Sequence, residues 1–308
     1  MRTAGAVRFG GWVRRTFLGL LGVALLACEL TESAVVNPDP VLVAEIQLIL
    51  DGDRPRWALA YLHATQGGED ELRLGGAEVE VQGPDGEAVR LSSTSEIRCL
   101  DGEGVFHQVE GACFMAWEDE LPEFDPLDRV EASVRLPGGE ELHGSARVPG
   151  RFLLQVPAAG STLVVPPESK LHMQWTAAEG AWGYLVDARL TLPEALGHGQ
   201  DLPREVTLLG MAGGAADTTF TFPDAAASSA PDGDTGTLLG LVSGGLPHGS
   251  QADVAVGALD ANLAGWLQGR DFHPSGQVRV PSLEGDGTGV FGVVRQQSAE
   301  VRVRNGGS

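Results

Sequence analysis

Two stretches between Gly76 and Val148 carry apolar residues at every second position. Ala77, Val79 and Val81 alternate with Glu78, Glu80 and Gln82, the chain turns at Gly83-Pro84-Asp85-Gly86, and Val89 and Leu91 continue beyond. Period-two alternation around a Gly/Pro/Asp turn predicts a half-buried antiparallel hairpin. A second hairpin is predicted where Val130, Ala132, Val134 and Leu136 alternate with polar residues, Pro137-Gly138-Gly139 turns, and Leu142, Gly144, Ala146 and Val148 return. Val41–Ala44 with Ile46–Leu50, and then Trp57–Leu62, are largely apolar stretches of strand length, and Trp117–Pro126 is an acidic, proline-containing loop. No helical period runs through this half. Short strands at regular spacing with turn signals predict a β-sandwich.

Pro149-Gly150 marks a boundary, followed closely by the apolar Phe152–Val156. Leu171, Met173 and Trp175 alternate with His172 and Gln174, and a polar loop leads to Gly183-Tyr184-Leu185-Val186. A strand ending in tryptophan, then one carrying Tyr-x-Val, resembles the B and C strands of fibronectin type III-like domains, which implies that Trp175 fills a core. Val206–Leu209, Thr219–Phe222, Leu238–Val242 and Val254–Leu259 supply further strands, and Ala261–Leu267 fits a short helix. Gly289–Val294 and Val301–Val303 read as two closing strands, and Asp224–Gly236 as a surface loop. The expected architecture is all-β: two immunoglobulin/fibronectin III-like β-sandwiches in series, over 41–150 and 151–304.

The N-terminus has a different texture. Arg2, Arg8, Arg14 and Arg15 precede the apolar run Phe17–Leu26, and small Ala27 precedes Cys28. A basic region, a short apolar stretch and a small residue before the cut make a signal peptide. Its apolar stretch falls short of the about 20 residues of a spanning helix. Leu25-Leu26-Ala27-Cys28 fits a bacterial lipobox, so residues 1–27 are expected to be removed and Cys28 to carry the lipid. Residues 28–40 then form a tether, which as about twelve flexible residues spans on the order of 20 Å. Arg14-Arg15-Thr16-Phe17-Leu18 also resembles the twin-arginine export motif. Multiple acyl chains anchor firmly where one does not. Glu29, in place of an aspartate after the cysteine, is compatible with the outer membrane.

Charge narrows the partners. The chain of 308 residues holds 21 basic and 42 acidic residues, a net charge of −21. Loss of the signal removes four arginines and no acid. Such a surface repels phosphates, so nucleic acid and anionic lipid are not expected partners. With Cys28 assigned to lipid, Cys99 and Cys113 are expected to pair in an oxidising compartment, around the turn Asp101–Gly104. Closing a loop of about 15 residues stabilises by roughly 3 kcal/mol.

Motifs that carry chemistry are scarce. Gly287-Thr-Gly289-Val-Phe-Gly292 fits G-x-G-x-x-G but leads into a strand pattern, not the helix that would meet a pyrophosphate. It reads as a glycine-rich turn. Asp232-Gly-Asp234-Thr-Gly236 and Asp51-Gly-Asp53 hint at calcium loops without the full oxygen set. No metalloprotease, nucleophile-elbow or histidine-pair spacing occurs. No catalytic residue, cofactor or metal site is expected.

The order of these features resembles a family of bacterial lipoproteins catalogued as domain of unknown function 4249. The similar pieces are the lipobox, Gly76-Ala77-Glu-Val79-Glu-Val81 with Pro84-Asp85-Gly86, Ala146-Arg-Val148-Pro149, Leu171–Trp175 with Tyr184-Leu-Val186, Ala258-Leu259-Asp260-Ala-Asn262, and Gly289-Val290-Phe291-Gly292. The resemblance implies two immunoglobulin-like sandwiches, the first carboxypeptidase-regulatory-like, on an outer-membrane-type anchor. It also implies an accessory role beside TonB-dependent receptors, and it brings no catalytic residues. The Cys99–Cys113 pair stands outside that pattern.

Together these readings point to a non-catalytic, lipid-anchored envelope protein that binds a ligand or partner for a TonB-dependent outer-membrane transport system. A structural or adhesive surface lipoprotein is the alternative, and an envelope hydrolase the third. If Cys28 carries the anchor, Cys28→Ser will move the protein from the detergent-extracted membrane fraction to the soluble fraction. Retention in the membrane fraction would rule the lipid anchor out.

Overall fold

The computed structural model describes residues 39–65, 72–95, 99, 111–193, 205–212, 214–222, 227–228, 245–268 and 280–304. Cys28 and its signal, the Asp101–Gly104 turn, the Asp232–Gly236 motif and the strand expected at Leu238–Val242 lie outside the described residues. The first strands are β1 (Leu42–Asp51), β2 (Arg54–Ala64), β3 (Glu78–Gln82), β4 (Ala88–Arg90), β5 (Ser92–Thr94), β6 (Gly111–Trp117), β7 (Arg129–Arg135), β8 (Glu141–Arg147) and β9 (Leu154–Val156). Then come β10 (Thr162–Val165), β11 (Leu171–Trp175), β12 (Gly183–Thr191), β13 (Glu205–Ala212), β14 (Thr219–Phe222), β15 (Ala227–Ser228) and β16 (Gln251–Leu259). A helix α1 (Ala261–Gln268) precedes β17 (Leu283–Gly285) and β18 (Gly287–Val303). The chain is all-β, as the period-two pattern dictates.

The strands form three sheets. A ten-stranded sheet runs β15-β13-β12-β16-β18-β1-β2-β6-β5, with β10 attached to β18. A five-stranded sheet runs β17-β8-β7-β3-β4, and a three-stranded sheet runs β14-β11-β9. Both expected hairpins are present, β3–β4 and β7–β8, with Gly86 and Gly139 supplying positive φ of 82° and 103° at the turns. Alternation decides their burial: Val79, Val81, Val130, Ala132 and Val134 point inward.

Two apolar clusters sit side by side. The first joins β1, β2, β6 and the N-terminal part of β18 to the five-stranded sheet, with Ile46, Leu48, Val79, Val134 and Phe291 at its centre. The second joins β12, β13, β16 and the C-terminal part of β18 to the three-stranded sheet, with Met173, Trp175, Tyr184, Val256 and Val301. Each is a sheet-on-sheet layer. Trp175 is core, with its ring centroid 5.2 Å from that of Tyr184, whose hydroxyl accepts the Ala178 N–H at 2.8 Å.

The β18 strand belongs to both clusters. Phe291 and Val293 enter the first, while Ala299, Val301 and Val303 enter the second. These odd-numbered positions share one face, so both smaller sheets pack on the same side of the long one. The opposite side carries a third cluster, in which Leu263, Ala264 and Leu267 of α1 meet Ile49, Trp57, Leu59 and Met115. Cys99 and Cys113 are buried in it and bonded, with Cα atoms 5.9 Å apart.

Where two closing strands were expected there is one of 17 residues. The polar middle, Arg295 to Ser298, interrupts the apolar pattern because it crosses the seam between the two cores. There Arg295, 1% exposed, donates from Nε to the Pro149 carbonyl at 2.8 Å, and from Nη1 to Asp53 Oδ1 at 3.0 Å and to the Gly52 carbonyl. Arg151 donates to the same Asp53 oxygen at 2.6 Å. Gln297 accepts the Leu154 N–H and donates to the Phe152 carbonyl, both at 2.7 Å. The segment expected to separate two domains is thus fastened to β18 at Pro149, Phe152 and Leu154, and Pro40–Ser308 forms a single compact unit. Burial pulls the Arg295 pKa below its ordinary value, with Asp53 opposing.

Replacing the guanidinium by an apolar side chain would leave two carbonyls at the seam without their donor. Arg295→Met is expected to cost about 3 kcal/mol in urea denaturation. A loss below about 1 kcal/mol would mean the seam holds without the guanidinium.

Candidate functional site

The outward face of the five-stranded sheet is a polar lattice fixed by register. One row crosses it as Gln82, Glu131 and Ser145. The next runs Arg90, Glu80, Ser133, His143 and Glu284. A third sets Glu78, Arg135 and Glu141 side by side, tied by ion pairs of 2.9 Å from Arg90 to Glu78 and 2.7 Å from Arg135 to Glu141. Short residues at the centre (Ser133, Gly144, Ser145) and long ones at the margin (Gln82, Arg129, Glu131, Glu284) leave a cleft of about 590 Å³. Gly144 has a further role. A Cβ there would run into the Ser282 carbonyl, so glycine lets the 281–284 segment close one wall.

That wall is tied to the edge of β18. Beyond Val294, β16 no longer pairs with β18, and side chains take over its backbone groups. Asp260 accepts the Val293 N–H at 3.2 Å while its own N–H reaches the Val293 carbonyl at 3.1 Å. Asn262 donates from Nδ2 to the Phe291 carbonyl at 2.9 Å and the Ser145 carbonyl at 2.8 Å. Ser282 accepts the Phe291 N–H at 2.9 Å. Asp260 also caps α1, accepting the N–H of Asn262 at 3.2 Å and Leu263 at 3.1 Å. Asn262 and Ser282 both line the cleft, so the side chains that close the sheet edge also shape the site.

Two sequence motifs meet here. Leu259-Asp260-Ala-Asn262 clamps the backbone of Gly289-Val-Phe-Gly292, and a Cβ at Gly292 would lie 2.6 Å from that of Leu263 and 2.9 Å from Asp260 Oδ1. The glycines expected in a turn lie inside β18, where they permit close approach: Gly289, at φ 151°, abuts Ala44 of β1. Asp260 and Asn262 acting as an edge clamp is what the sequence did not disclose. An Asp just before an apolar helical stretch is an N-cap signal, but nothing local says that a distant strand shares it.

Other sequence-derived candidates fall elsewhere. Cys28 lies outside the described residues; the Cys99–Cys113 bond lies under α1, on the other face of the long sheet from the cleft. Asp53 spends its Oδ1 on Arg295 and Arg151. Among the described residues no group of three or more His, Cys, Asp or Glu side chains is placed to hold a metal ion. Ser133, His143 and Glu284 stand in one row, a hydroxyl, an imidazole and a carboxylate. All three are exposed on the open face of the sheet.

The buried Asp260 gives the clamp a pH signature. Burial raises its pKa from 3.8 to about 6, against the three backbone N–H groups that lower it. Since the folded value exceeds the unfolded one, the stability this group contributes is fully present below pH 3.8 and is lost as pH rises through about 6. The change amounts to about 3 kcal/mol. Urea midpoints measured from pH 4 to 8 should show this decline in the wild type and a flatter profile in Asp260→Asn. Parallel profiles would refute it.

No family model matches the sequence, and no curated protein matches it. A solved structure described as "Crystal structure of DIP-gamma IG1+IG2" aligns with 83% of this chain and 98% of its own, at 11% identity and a TM-score of 0.20. A superposition that loose carries no argument; the all-β assignment rests on the strands and their pairing.

Proposed function

We propose that this chain is a non-catalytic, lipid-anchored envelope protein that binds a partner or ligand for an outer-membrane transport system of the TonB-dependent type. The observation that carries binding over catalysis is the cleft on β3, β7 and β8. It is a trough of about 590 Å³ whose donors and acceptors are set by strand register and by the Asp260–Asn262 clamp. Preorganised polar groups on a sandwich face suit recognition, because little order is lost when a partner docks. The lipobox at Cys28 supports the membrane tether, and the resemblance to the lipoprotein family supports the receptor as partner.

The test is a cross-linking pull-down from intact cells with the full-length, C-terminally tagged protein, read by mass spectrometry. Cys28→Ser is the anchor control, and Ser133→Tyr fills the cleft without disturbing the buried face of β7. Capture of an outer-membrane receptor by the wild type, lost in Cys28→Ser and reduced at least about fivefold in Ser133→Tyr, is expected. Capture of only abundant envelope proteins would end the accessory reading and favour the adhesive one. Turnover of esters, glycans or peptides that Ser133→Ala abolishes would replace both with the hydrolase.

A further inference from the structure

The outer face of the long sheet, on the side that carries α1, has a notch at β18. Along one edge of that strand β1 ends at Asp51, opposite Gln296, and β10 begins at Thr162, opposite Glu300. Even-numbered residues of β18 point away from the two smaller sheets. Ser298 and its cross-strand neighbour Ala255 form a low floor there, in one row with Asp187, and the next row sets Arg189, Asp253 and Glu300 side by side. Across the notch β2 supplies Arg56 and Trp57, and the cleft so bounded holds about 400 Å³. Two features leave it unfinished. Arg189 and Asp253 lie directly opposite each other in the ladder, yet neither side chain is ion-paired or hydrogen-bonded among the described residues, and the same holds for Arg56. Glu300, by contrast, is held by Arg302 at 2.6 Å and by the Thr162 hydroxyl at 2.9 Å. Trp57, which lines the cleft from the third apolar cluster, is 3% exposed, and its Nε1 is buried with no hydrogen-bond partner. A buried donor left unmet is costly.

We infer that this cleft binds a short peptide by its two free termini, the ammonium at Asp253 and Asp187 and the carboxylate at Arg56 and the Trp57 indole N–H. The charges call for both signs in one ligand. With Glu300 neutralised by Arg302, Asp187 and Asp253 stand against Arg56 and Arg189, a balanced set in a chain of net charge −21. A simple anion would meet the aspartates and a simple cation the arginines. An ammonium only donates and a carboxylate only accepts, so each terminus has one place to go: acceptors on β12 and β16, donors on β2. Spacing sets the length. Asp253 on β16 and Arg56 on β2 are three strand positions apart, on the order of 14 Å between backbones. The two side chains close part of that distance, and an extended tripeptide, on the order of 10 Å long, bridges the rest. A single amino acid is too short, and a cleft of about 400 Å³ is of small-ligand size.

Triglycine titrated into the full chain in detergent micelles tests this, followed by NMR at the Trp57 indole N–H, which Trp57→Phe assigns. A saturable shift of that resonance is expected. N-acetyl-triglycine and triglycine amide each lack one terminal charge and should bind at least about fivefold more weakly. Asp253→Asn should weaken triglycine and its amide but not the acetylated peptide, and Arg56→Gln should weaken triglycine and the acetylated peptide but not the amide. Both substituted side chains are exposed, so the melting temperature should not change. Capped peptides or glycine binding as tightly as triglycine, binding undiminished in both variants, or no saturable shift up to about 20 mM would overturn the proposal. Ser133→Tyr, which fills the cleft of the five-stranded sheet, should bind triglycine as the wild type does. Loss of binding there would assign the peptide to that other cleft and overturn the proposal too, so the two sites are tested separately.

Discussion

A strand of 17 residues must satisfy backbone N–H and C=O groups along both edges, and β18 does so with four kinds of partner. β1 and β10 share one edge; β16 takes most of the other, and side chains of Asp260, Asn262 and Ser282 finish it. An unmet backbone group buried in a core costs as much as a lost hydrogen bond. The requirement therefore fixes the place of α1, the closeness allowed by Gly289 and Gly292, and the wall of the cleft. The rest of the molecule is arranged around this ladder.

The seam shows how polar residues come to lie inside. Arg295 and Gln297 face the same way as the apolar residues on either side of them, yet between the two cores they meet main-chain carbonyls and N–H groups of the connecting segment. Burying a guanidinium is unfavourable unless its donors are used. Pro149, Gly52 and Asp53 take up Nε and Nη1, while Nη2 is buried without a partner. The two cores are thereby held at one spacing, with the long sheet continuous beneath both.

The outward surfaces follow a different rule. On the five-stranded sheet, cross-strand pairs alternate in charge, as Arg90–Glu78 and Arg135–Glu141 do, and short residues open the cleft between them. Exposed pairs of this kind contribute little to stability, so the pattern is available for recognition.

The sequence by itself determined the all-β class, the two hairpins at Gly83–Gly86 and Pro137–Gly139, the burial of Trp175 and the short helix after Asp260, because alternation, turn residues and caps are local signals. It also marked Cys99 and Cys113 as a pair. It did not reveal that Gly289–Val294 and Val301–Val303 are one strand, since the polar stretch between them looks like a break until the connecting segment lies against it. Nor did it reveal that Asp260 and Asn262 close an edge about thirty residues away. Those are matters of which strand lies beside which, and partner choice between distant strands is set by the packing of whole sheets rather than by the residues within any one of them.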